Sequence, residues 1–253
     1  MRIAVVTPYY REPLNKLQRC HASVTGQTHM NVTHIMVADG YPLAEIDGWE
    51  RCQHIPLPVG HQDSGDTPRV VGCGSAAGQQ FDAVALLDAD NWFEPEHLES
   101  LLKVQAESNA LIVTCPRRLV RPDSGELLGI CTESDGQRFN DTNCYLVTHP
   151  AFSLFAAWGF RNKQVAQSIG CLGDRIFWDA VSKSNASRAH SKLATVNYET
   201  AYAAHYQARG LPMPEFAKVH VWLPAEGHYR LVSYAEYRNL VEMGLTADQG
   251  YGA

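Results

Sequence analysis

The stretch Val84 to Asn91, which reads V-A-L-L-D-A-D-N, decides the fold of this chain. Four apolar residues that run directly into two acids are typical of a parallel strand buried on both faces. Asp88 and Asp90 follow this strand, at the carboxyl edge where open α/β sheets bind their ligands. Two carboxylates one residue apart at such an edge are suited to a hard divalent cation, which could hold a diphosphate. The stretch therefore predicts an α/β fold with a ligand crevice beside the two acids.

Composition and length place the chain among ordinary globular proteins. It has 253 residues, of which 45% are hydrophobic and 19% are charged, and this length suffices for one large α/β domain. The formal net charge is -6 and no basic cluster stands out, so nucleic acid is not an expected partner. The sequence contains no G-x-G-x-x-G, P-loop or nucleophile-elbow motif, which disfavours dehydrogenases, ATPases and esterases.

The sequence carries no recognisable targeting or membrane signal. Only four consecutive apolar residues, Ile3 to Val6, precede Thr7 and Pro8, which is too few for the core of a signal peptide. No apolar run approaches the length of a membrane span, so we expect a cytoplasmic protein that could still be peripheral to the membrane. The seven cysteines form no C-x-x-C pair, so we predict reduced thiols, no disulfide and no zinc site.

Hydrophobic periodicity predicts strands that alternate with helices along most of the chain. Pro8 is expected to end the first strand, because proline cannot donate a hydrogen bond to a strand ladder. Three glycines, Gly72, Gly74 and Gly78, weaken one predicted helix but would allow it to approach the sheet closely. Strands are predicted at residues 2–10, 32–38, 84–87, 111–115 and 144–147. Helices are predicted at 14–27 and 197–207, after Pro95, after Leu172-Gly173-Asp174-Arg175 and after Ser233. Residues 41–83, which include a poor helix candidate at 69–80, and residues 209–229 are predicted to be irregular.

Polar residues at the ends of these elements are the candidate functional groups. Asp39 follows the second strand and could accept hydrogen bonds from a ribose or a base, or could simply form a turn with Gly40. Asp174 could be a helix N-cap, a catalytic group, or both. His205 shares a predicted helical face with two tyrosines and could be either a hydrogen-bonded core residue or a ligand.

Several motifs in a fixed order resemble the inverting nucleotide-sugar glycosyltransferases of the GT-A fold, family-two type. The similarity runs from Ile3 to Tyr206. Its nucleotide-binding part consists of I-A-V-V-T-P-Y-Y, of L-Q-R-C-H-A-S-V-T-G-Q-T-H with I-M-V-A-D-G, and of the D-x-D strand in L-L-D-A-D-N-W-F-E-P-E-H-L. Its acceptor-side part consists of F-S-L-F-A-A-W-G-F followed by L-G-D-R-I-F-W-D. The resemblance implies a Rossmann-like α/β fold with a mixed, mostly parallel sheet flanked by helices in a single domain.

The resemblance also implies the roles of particular residues. Asp174 would be the catalytic base that takes the proton from an acceptor hydroxyl. Asp90 would bind Mn²⁺ or Mg²⁺ together with His205 or, failing that, with His220 or His190. The acceptor would be a sugar or a lipid-linked hydroxyl. The donor, a UDP-sugar by preference or else a GDP-sugar, would contact Thr7, Pro8, Tyr9, Asp39, Asp66, Arg69, Asp88 and Ala89.

The chain departs from the family pattern at three places. Ala38-Asp39 stands where the family often has two acids, Gly173-Asp174 stands where Glu-Asp is common, and Arg69-Val70 replaces Arg-Asn. The glycine before Asp174 leaves open a non-catalytic nucleotide-sugar-binding protein of the same fold. A nucleotidyltransferase would need a Gly-rich basic loop after the first strand. A metal-dependent phosphohydrolase would need further acids or histidines at other strand ends, which the chain supplies poorly.

The resemblance predicts one GT-A domain over residues 1–253. Within it we expect a nucleotide-sugar-binding half at residues 1–115 and an acceptor half at residues 116–230. Residues 231–253 would form a C-terminal helix and tail.

Overall fold

The structure is a computed structural model that describes residues 1–159 and 173–248. Its strands are β1 Ile3–Tyr9, β2 Val32–Ala38, β3 Cys52–Pro56, β4 Ala83–Leu86, β5 Trp92–Phe93, β6 Ile112–Thr114, β7 Arg117–Val120, β8 Leu127–Ile130, β9 Tyr145–Thr148, β10 Arg188–His190, β11 Val196–Glu199, β12 Lys218–Leu223 and β13 His228–Ser233. Its helices are α1 Leu14–Thr25, α2 Asp66–Gly78, α3 His97–Ser108, α4 Ala156–Gly159, α5 Gly173–Lys183, α6 Ala203–Gln207 and α7 Tyr234–Glu242. Short 3₁₀ turns lie at Ala44–Gly48, Thr142–Cys144 and His149–Phe155.

The main sheet has seven strands in the order β10-β6-β9-β4-β1-β2-β3. Each neighbouring pair is parallel except the two pairs made by β9, which runs antiparallel to β4 and to β6. Val6 of β1 pairs with Leu86 of β4, so Asp88 and Asp90 follow β4 at the carboxyl edge of the sheet. The mixed, mostly parallel sheet that the family resemblance implied is confirmed.

Helices cover both faces of this sheet because successive residues of β1 point to opposite sides. Val6 packs in one core cluster with Cys73 of α2. Val5 packs in a second cluster with Cys20 of α1 and Leu98 of α3. All five side chains are buried, and each fully buried apolar side chain contributes about 1.5–3 kcal/mol to folding. The two-sided burial explains why the predicted strands read as continuous apolar runs.

Two smaller sheets stand beside the main one. β5, β11, β7 and β8 form a four-stranded sheet in which β11 is parallel to β7 and antiparallel to β5. β12 and β13 form an antiparallel hairpin, and α7 packs on one face of it. The α7 helix begins as predicted, since the Ser233 side chain accepts a hydrogen bond from the Glu236 N–H at 3.1 Å.

The prediction that Pro8 ends the first strand is wrong. β1 continues to Tyr9 alongside β2, and the Asp39 N–H donates to the Tyr9 carbonyl at 2.7 Å. Pro8 faces the other neighbour, β4, whose pairing with β1 ends at Val6. The missing N–H of Pro8 therefore costs no ladder hydrogen bond at this position.

The helix predicted over residues 197–207 is also wrong in its first half. Val196–Glu199 forms β11, which pairs with Arg117–Val120, and only Ala203–Gln207 is helical. Tyr198, Tyr202 and His205 have helical spacing, but the first of them lies on a strand. Pairing with a strand nearly eighty residues away overrides the local pattern.

Residues 209–229 were predicted to be irregular, yet β12 and the start of β13 lie within them. The sequence K-V-H-V-W-L alternates between exposed and buried side chains along Lys218–Leu223, which is the period of a strand with one buried face. The prolines on either side of this strand, Pro214 and Pro224, had favoured a prediction of irregular chain over the strand that the alternation indicates.

Two expectations concern thiols and membrane segments. The described cysteines are free thiols, and Cys52 alone among them is not fully buried, while Cys171 lies outside the described residues. No helix in the two described ranges is both long enough and apolar enough to cross a membrane.

Candidate active site

A pocket of about 580 Å³ lies at the carboxyl ends of β1, β2 and β4. Three parallel strands end at one edge of a sheet, so residues far apart in sequence converge there. The start of α2 forms one side of the pocket. The carboxyl end of β11 and the first residue of β12 form another side. Its lining consists of Pro8, Tyr9, Tyr10, Glu12, Asp39, Gln62, Ser64, Gly65, Pro68, Arg69, Asp88, Ala89, Asp90, Tyr198, Glu199, Ala201, Tyr202 and Lys218.

Asp39 lines this pocket, and it also holds the loop that follows β3. Its carboxylate accepts hydrogen bonds from the backbone N–H of His61 at 3.0 Å and of Gln62 at 3.3 Å. The His61 ring nitrogen Nδ1 lies 2.6 Å from Asp39 Oδ1. Asp39 therefore fixes the position of the loop at His61 and Gln62 in this structure.

Asp88 belongs to a chain of charged and amide groups that runs beneath the pocket. The Arg69 guanidinium binds Asp88 Oδ1, and Asn143 Nδ2 donates to Asp88 Oδ2 at 2.8 Å. The same Asn143 nitrogen donates to Asp141 Oδ1 at 2.7 Å, and Asp141 forms a buried ion pair with Arg117. Charge-assisted hydrogen bonds of this kind are short and strong, so the network gives Asp88 a fixed orientation.

Asp90 lies in the most acidic part of the pocket. Burial, and then repulsion from Asp88, raise the pKa of its carboxyl to about 7. Glu199 and Glu12 add to the repulsion, whereas the Lys16 ammonium opposes it. Lys16 Nζ is itself bound to Glu199 Oε2 at 2.5 Å, so its positive charge compensates Glu199 as well as Asp90. The pocket therefore holds more negative charge than its own cations balance.

This excess of negative charge fits a divalent cation. Hard cations such as Mg²⁺ and Mn²⁺ prefer oxygen ligands, and both Asp88 and Asp90 present carboxylates to the pocket. A bound cation would favour the ionised form of Asp90, against the burial and repulsion that raise its pKa. The donor set present at this edge thus suits the predicted metal.

Asp174 lies in the first turn of α5, where its Oδ1 accepts the Arg175 N–H at 2.7 Å. Burial, and then repulsion from Asp141, raise the pKa of its carboxyl to about 6. Asp174 does not line the pocket. Its charge nevertheless contributes to the raised pKa of Tyr202, and Tyr202 does line the pocket. Phe160 and Leu172, which end and begin the two acceptor-side motifs, lie outside the described residues.

His205 is not among the residues that line the pocket with Asp90. The ring nitrogen Nδ1 lies 2.6 Å from Thr200 Oγ1, and burial lowers the pKa of His205 to about 3. His205, Cys131 and Glu133 each have an atom that could bind a metal, and these three atoms lie within 4.8 Å of one another. The charges of Arg117 and Arg209 also lower this pKa, and they disfavour a cation at that cluster.

The two other histidines considered for the metal also lie elsewhere. His190 Nδ1 is hydrogen-bonded to Thr114 Oγ1 at 2.8 Å, and His220 is exposed on β12. Neither belongs to the lining of the pocket at the carboxyl edge. Oxygen ligands are therefore the metal-binding groups that the described residues present beside Asp90.

Two of the predicted donor-binding residues are buried away from the pocket. Thr7 is fully buried and its hydroxyl is hydrogen-bonded to His34 Nε2 at 2.8 Å. Asp66 is also fully buried, below Arg69, and its Oδ1 lies 3.5 Å from Arg69 Nη1. Pro8, Tyr9, Asp39, Arg69, Asp88, Ala89 and Asp90 do line the pocket.

Sequence reasoning missed the residues that reach the pocket from outside the motif regions. Tyr198 and Glu199 lie at the end of β11, Tyr202 immediately precedes α6, and Lys218 is the first residue of β12. The alternating pattern of β12 was a signal that could have placed Lys218 on a strand. No local signal indicated that β11 would lie beside the carboxyl edge of β4.

A family model and one curated protein match this chain. The model described as "Glycosyl transferase family 2" matches residues 4–161. Glycosyltransferase GlyA of Streptococcus pneumoniae serotype 4 is 26% identical over 189 residues, which cover 68% of this chain and 27% of that protein. The chain therefore spans about a quarter of the length of this curated relative.

Solved structures of S. aureus TarS share the fold. The TarS fragment 1–349 matches with a TM-score of 0.60 and 13% identity, over 82% of this chain and 63% of that one. The same fragment in complex with UDP matches with a TM-score of 0.59 and 12% identity, over 83% and 63%. A further structure of the fragment holds UDP-GlcNAc.

Proposed function

The chain belongs to glycosyl transferase family 2, and from this premise we propose that it transfers a sugar from a nucleoside-diphosphate sugar, a UDP-sugar by preference, to an acceptor hydroxyl. One observation carries the proposal: a pocket of about 580 Å³ at the carboxyl edge of the sheet presents Asp39, Asp88 and Asp90. A volume of this size is typical of a small-molecule site. The TarS complexes with UDP and UDP-GlcNAc support a UDP-sugar as the donor.

Asp90 and Asp88 would hold a divalent cation, Mn²⁺ or Mg²⁺, against the diphosphate. When bound, this cation would stabilise the negative charge that develops on the leaving diphosphate. Lys218 lines the same pocket and would add positive charge next to the phosphates. Arg69 orients Asp88 through their ion pair, so its contribution to phosphate binding would be indirect.

Asp174 would act as the general base. Its carboxylate takes the proton from the acceptor hydroxyl while the hydroxyl oxygen attacks the anomeric carbon on the face opposite the diphosphate, which inverts the configuration. The raised pKa of Asp174, about 6, suits this role because the group is ionised at neutral pH yet binds a proton more strongly than an ordinary Asp. The acceptor would be a sugar or a lipid-linked hydroxyl.

Gly173 favours a second candidate, a protein that binds the nucleotide sugar without transferring it, because the acid that the family commonly has before the catalytic Asp is missing here. Binding and turnover measured on the same protein distinguish the two. Transfer or donor hydrolysis identifies the enzyme. Donor binding with neither reaction would identify the binding protein.

The donor class can be tested by thermal unfolding in the presence of UDP-, GDP- and dTDP-sugars, each with and without Mn²⁺. We expect the melting temperature to rise with a UDP-sugar, and to rise further when Mn²⁺ is present. A ligand at a hundred times its Kd adds about 2.7 kcal/mol of stability, which is readily detected. An unchanged melting temperature with every nucleotide sugar would contradict the proposal.

Asp90→Asn tests the cation site in the same assay. We expect this variant to keep a UDP-dependent shift and to lose the additional shift from Mn²⁺, because one carboxylate ligand is gone. Asp82→Asn is the matched control, since Asp82 is an exposed acid on the loop before β4, outside the pocket lining. A Mn²⁺ increment that survives in Asp90→Asn would place the cation elsewhere.

A further inference from the structure

The first residue of α5 has no room for a side chain because a carboxylate from α2 lies against it. A Cβ atom built on Gly173 would lie 2.0 Å from Asp66 Oδ1, 2.8 Å from its Cγ and 2.9 Å from its Oδ2. Asp66 is fully buried and sits in the first turn of α2. The Asp66 carboxylate therefore occupies the space that any larger residue at position 173 would need.

The same backbone segment is held from a second direction. Trp158 Nε1 donates a hydrogen bond to the Gly173 carbonyl at 2.8 Å. Trp158 is buried and stacks on Phe177 of α5, with 4.2 Å between the ring centroids. The start of α5 thus lies between Asp66 and Trp158, and Asp174 is the next residue along the chain.

Asp66 also connects this segment to the pocket. Its Oδ1 lies 3.5 Å from Arg69 Nη1, and the other terminal nitrogen of Arg69 binds Asp88. Arg69 Nη1 donates to the Ser64 carbonyl at 2.9 Å, so the guanidinium has a defined orientation. Arg69 therefore lies between Asp88, which lines the pocket, and Asp66, which lies against the start of α5.

The charge of Asp66 is favourable at this place for a second reason. Its carboxylate lies at the N-terminal end of α5, an eleven-residue helix whose first N–H groups carry partial positive charge. A negative group at a helix N-terminus stabilises the helix, and it does so more strongly where it is shielded from solvent. Asp66 is shielded because its side chain is fully buried.

We propose that Asp66 is a positioning residue. From α2 it supplies the carboxylate for which residue 173 has no room. It also fixes the start of α5, and therefore Asp174, relative to Arg69 and Asp88. The inference deepens the proposed transferase function and rests on it. It accounts for the departure at Gly173: the acidic group before Asp174 is replaced by one from a different element. Gly173 and Asp66 form a steric pair, so a change of one constrains the other.

The first test is Asp66→Asn, which keeps the shape of the side chain and removes its charge. We expect kcat to fall by about tenfold or more while the KM for the donor stays within about threefold, because Asp66 acts on the position of Asp174 and does not touch the donor. Gly74→Asp on the exposed face of α2 is the matched control, since nothing lies within 4 Å of a Cβ there. A wild-type kcat in Asp66→Asn would overturn the proposal.

The second test exchanges the two residues. Asp66→Gly removes the carboxylate, Gly173→Asp adds one into occupied space, and the double variant moves it from α2 to α5. We expect each single variant to lower the melting temperature and the double variant to recover a large part of both losses, in stability and in kcat. A double variant as impaired as the sum of the singles would overturn the steric pairing.

The two readouts separate this inference from the proposed function. If the wild-type chain transfers no sugar with any donor, the proposed function fails. The melting temperatures of the four proteins in the exchange then still decide whether Asp66 positions the start of α5. If transfer occurs and the exchange restores neither stability nor kcat, the inference fails while the proposed function stands.

Discussion

Asp174 is the residue whose environment most directly bears on the proposed chemistry. Burial raises the pKa of its carboxyl to about 6, and Asp141 adds to the effect by repulsion. The Arg175 N–H and the charges of Arg117 and Arg175 oppose the increase. The group is therefore ionised at neutral pH but remains a stronger base than a solvent-exposed aspartate.

Replacement of Asp174 by Asn should abolish most turnover and spare donor binding. We expect kcat to fall by about 10²–10⁴-fold, the usual contribution of a general base, with an unchanged donor-dependent shift in melting temperature. Asp179→Asn is the control, because Asp179 lies on the same helix, is exposed and forms a surface ion pair with Lys183 at 2.8 Å. Turnover near that of the wild type in Asp174→Asn would exclude Asp174 as the base.

The pH dependence of transfer should report the same carboxyl group. Asp174 is protonated and inactive as a base below its pKa, so kcat/KM should rise through an inflection near pH 6 and level off above it. The profile is measured at saturating Mn²⁺, because a bound cation favours the ionised form of Asp90, whose pKa is otherwise raised to about 7. Tyr145 and Tyr202 also face Asp174, but their pKa values are raised by burial and they stay neutral in this range. An inflection near pH 4, the ordinary value of Asp, would contradict the buried environment.

The same shift has a consequence for stability. A folded-state pKa of about 6, against the ordinary 3.8, means that the folded chain binds this proton more tightly than the unfolded chain. This group therefore contributes less to stability as pH rises from about 4 to about 6, and its contribution is constant above that window. The active, ionised form of Asp174 is thus obtained at a cost to the stability of the fold.

At the scale of elements, α2 connects the sheet to the pocket through its packing against β1 and β2. A Cβ atom on Gly72 would lie 2.5 Å from Val6 Cγ1 and 3.0 Å from Val37 Cγ2, so the helix approaches the sheet closely at this residue. Gly74 and Gly78 have nothing within 4 Å of such an atom. Of the three glycines in α2, the packing of the helix on the sheet depends on Gly72.

Gly72→Ala and Gly74→Ala should therefore change stability in opposite directions. We expect Gly72→Ala to destabilise the protein by about 1–3 kcal/mol, because the added methyl group overpacks the contact with Val6. Gly74→Ala should stabilise it by up to about 1 kcal/mol, because alanine has the higher helix propensity. Urea denaturation of both variants and the wild type provides the comparison, and equal effects would show that neither site is close-packed.

Element assignment from local pattern succeeded where burial is two-sided and failed where pairing is distant. β1, β2, β4 and the helices α1 and α3 have runs or periods that local sequence displays. β11 pairs with β7 and β5, and its four residues contain too little periodicity to distinguish a strand from a helix. β12 has a clear alternation of exposed and buried side chains, so the local sequence does display this strand.

At the scale of the whole molecule, an ion-pair cluster joins the two predicted halves beside the pocket. Glu199, at the end of β11, binds Lys16 at 2.5 Å and Arg19 at 2.7 Å, both on α1. The Glu199 N–H also donates to Asn91 Oδ1 at 2.9 Å, next to the D-x-D acids. The shape of the pocket therefore depends on a contact between residues more than 180 positions apart.

Glu199→Gln should weaken this connection between the halves. The Glu199 side chain is 7% exposed while its two partners are about one-third exposed. We therefore expect the free energy of unfolding to fall by about 1–2 kcal/mol, between the values for surface and buried ion pairs. Glu226→Gln is the matched control, because Glu226 is exposed in the turn between β12 and β13. Equal denaturation midpoints for the two variants would show that the cluster does not stabilise the fold.

The chain by itself determined the parallel sheet and the acids at its carboxyl edge. Strands buried on both faces must be apolar throughout, and the polar residues that follow them must face the crevice, so Asp39, Asp88 and Asp90 were visible in the local sequence. Only the tertiary structure decided that His205 does not line the pocket, that β11 brings Glu199 to the pocket and that Asp66 fills the space beside Gly173. Each of these depends on contacts between distant segments, which local hydrophobic patterns do not encode.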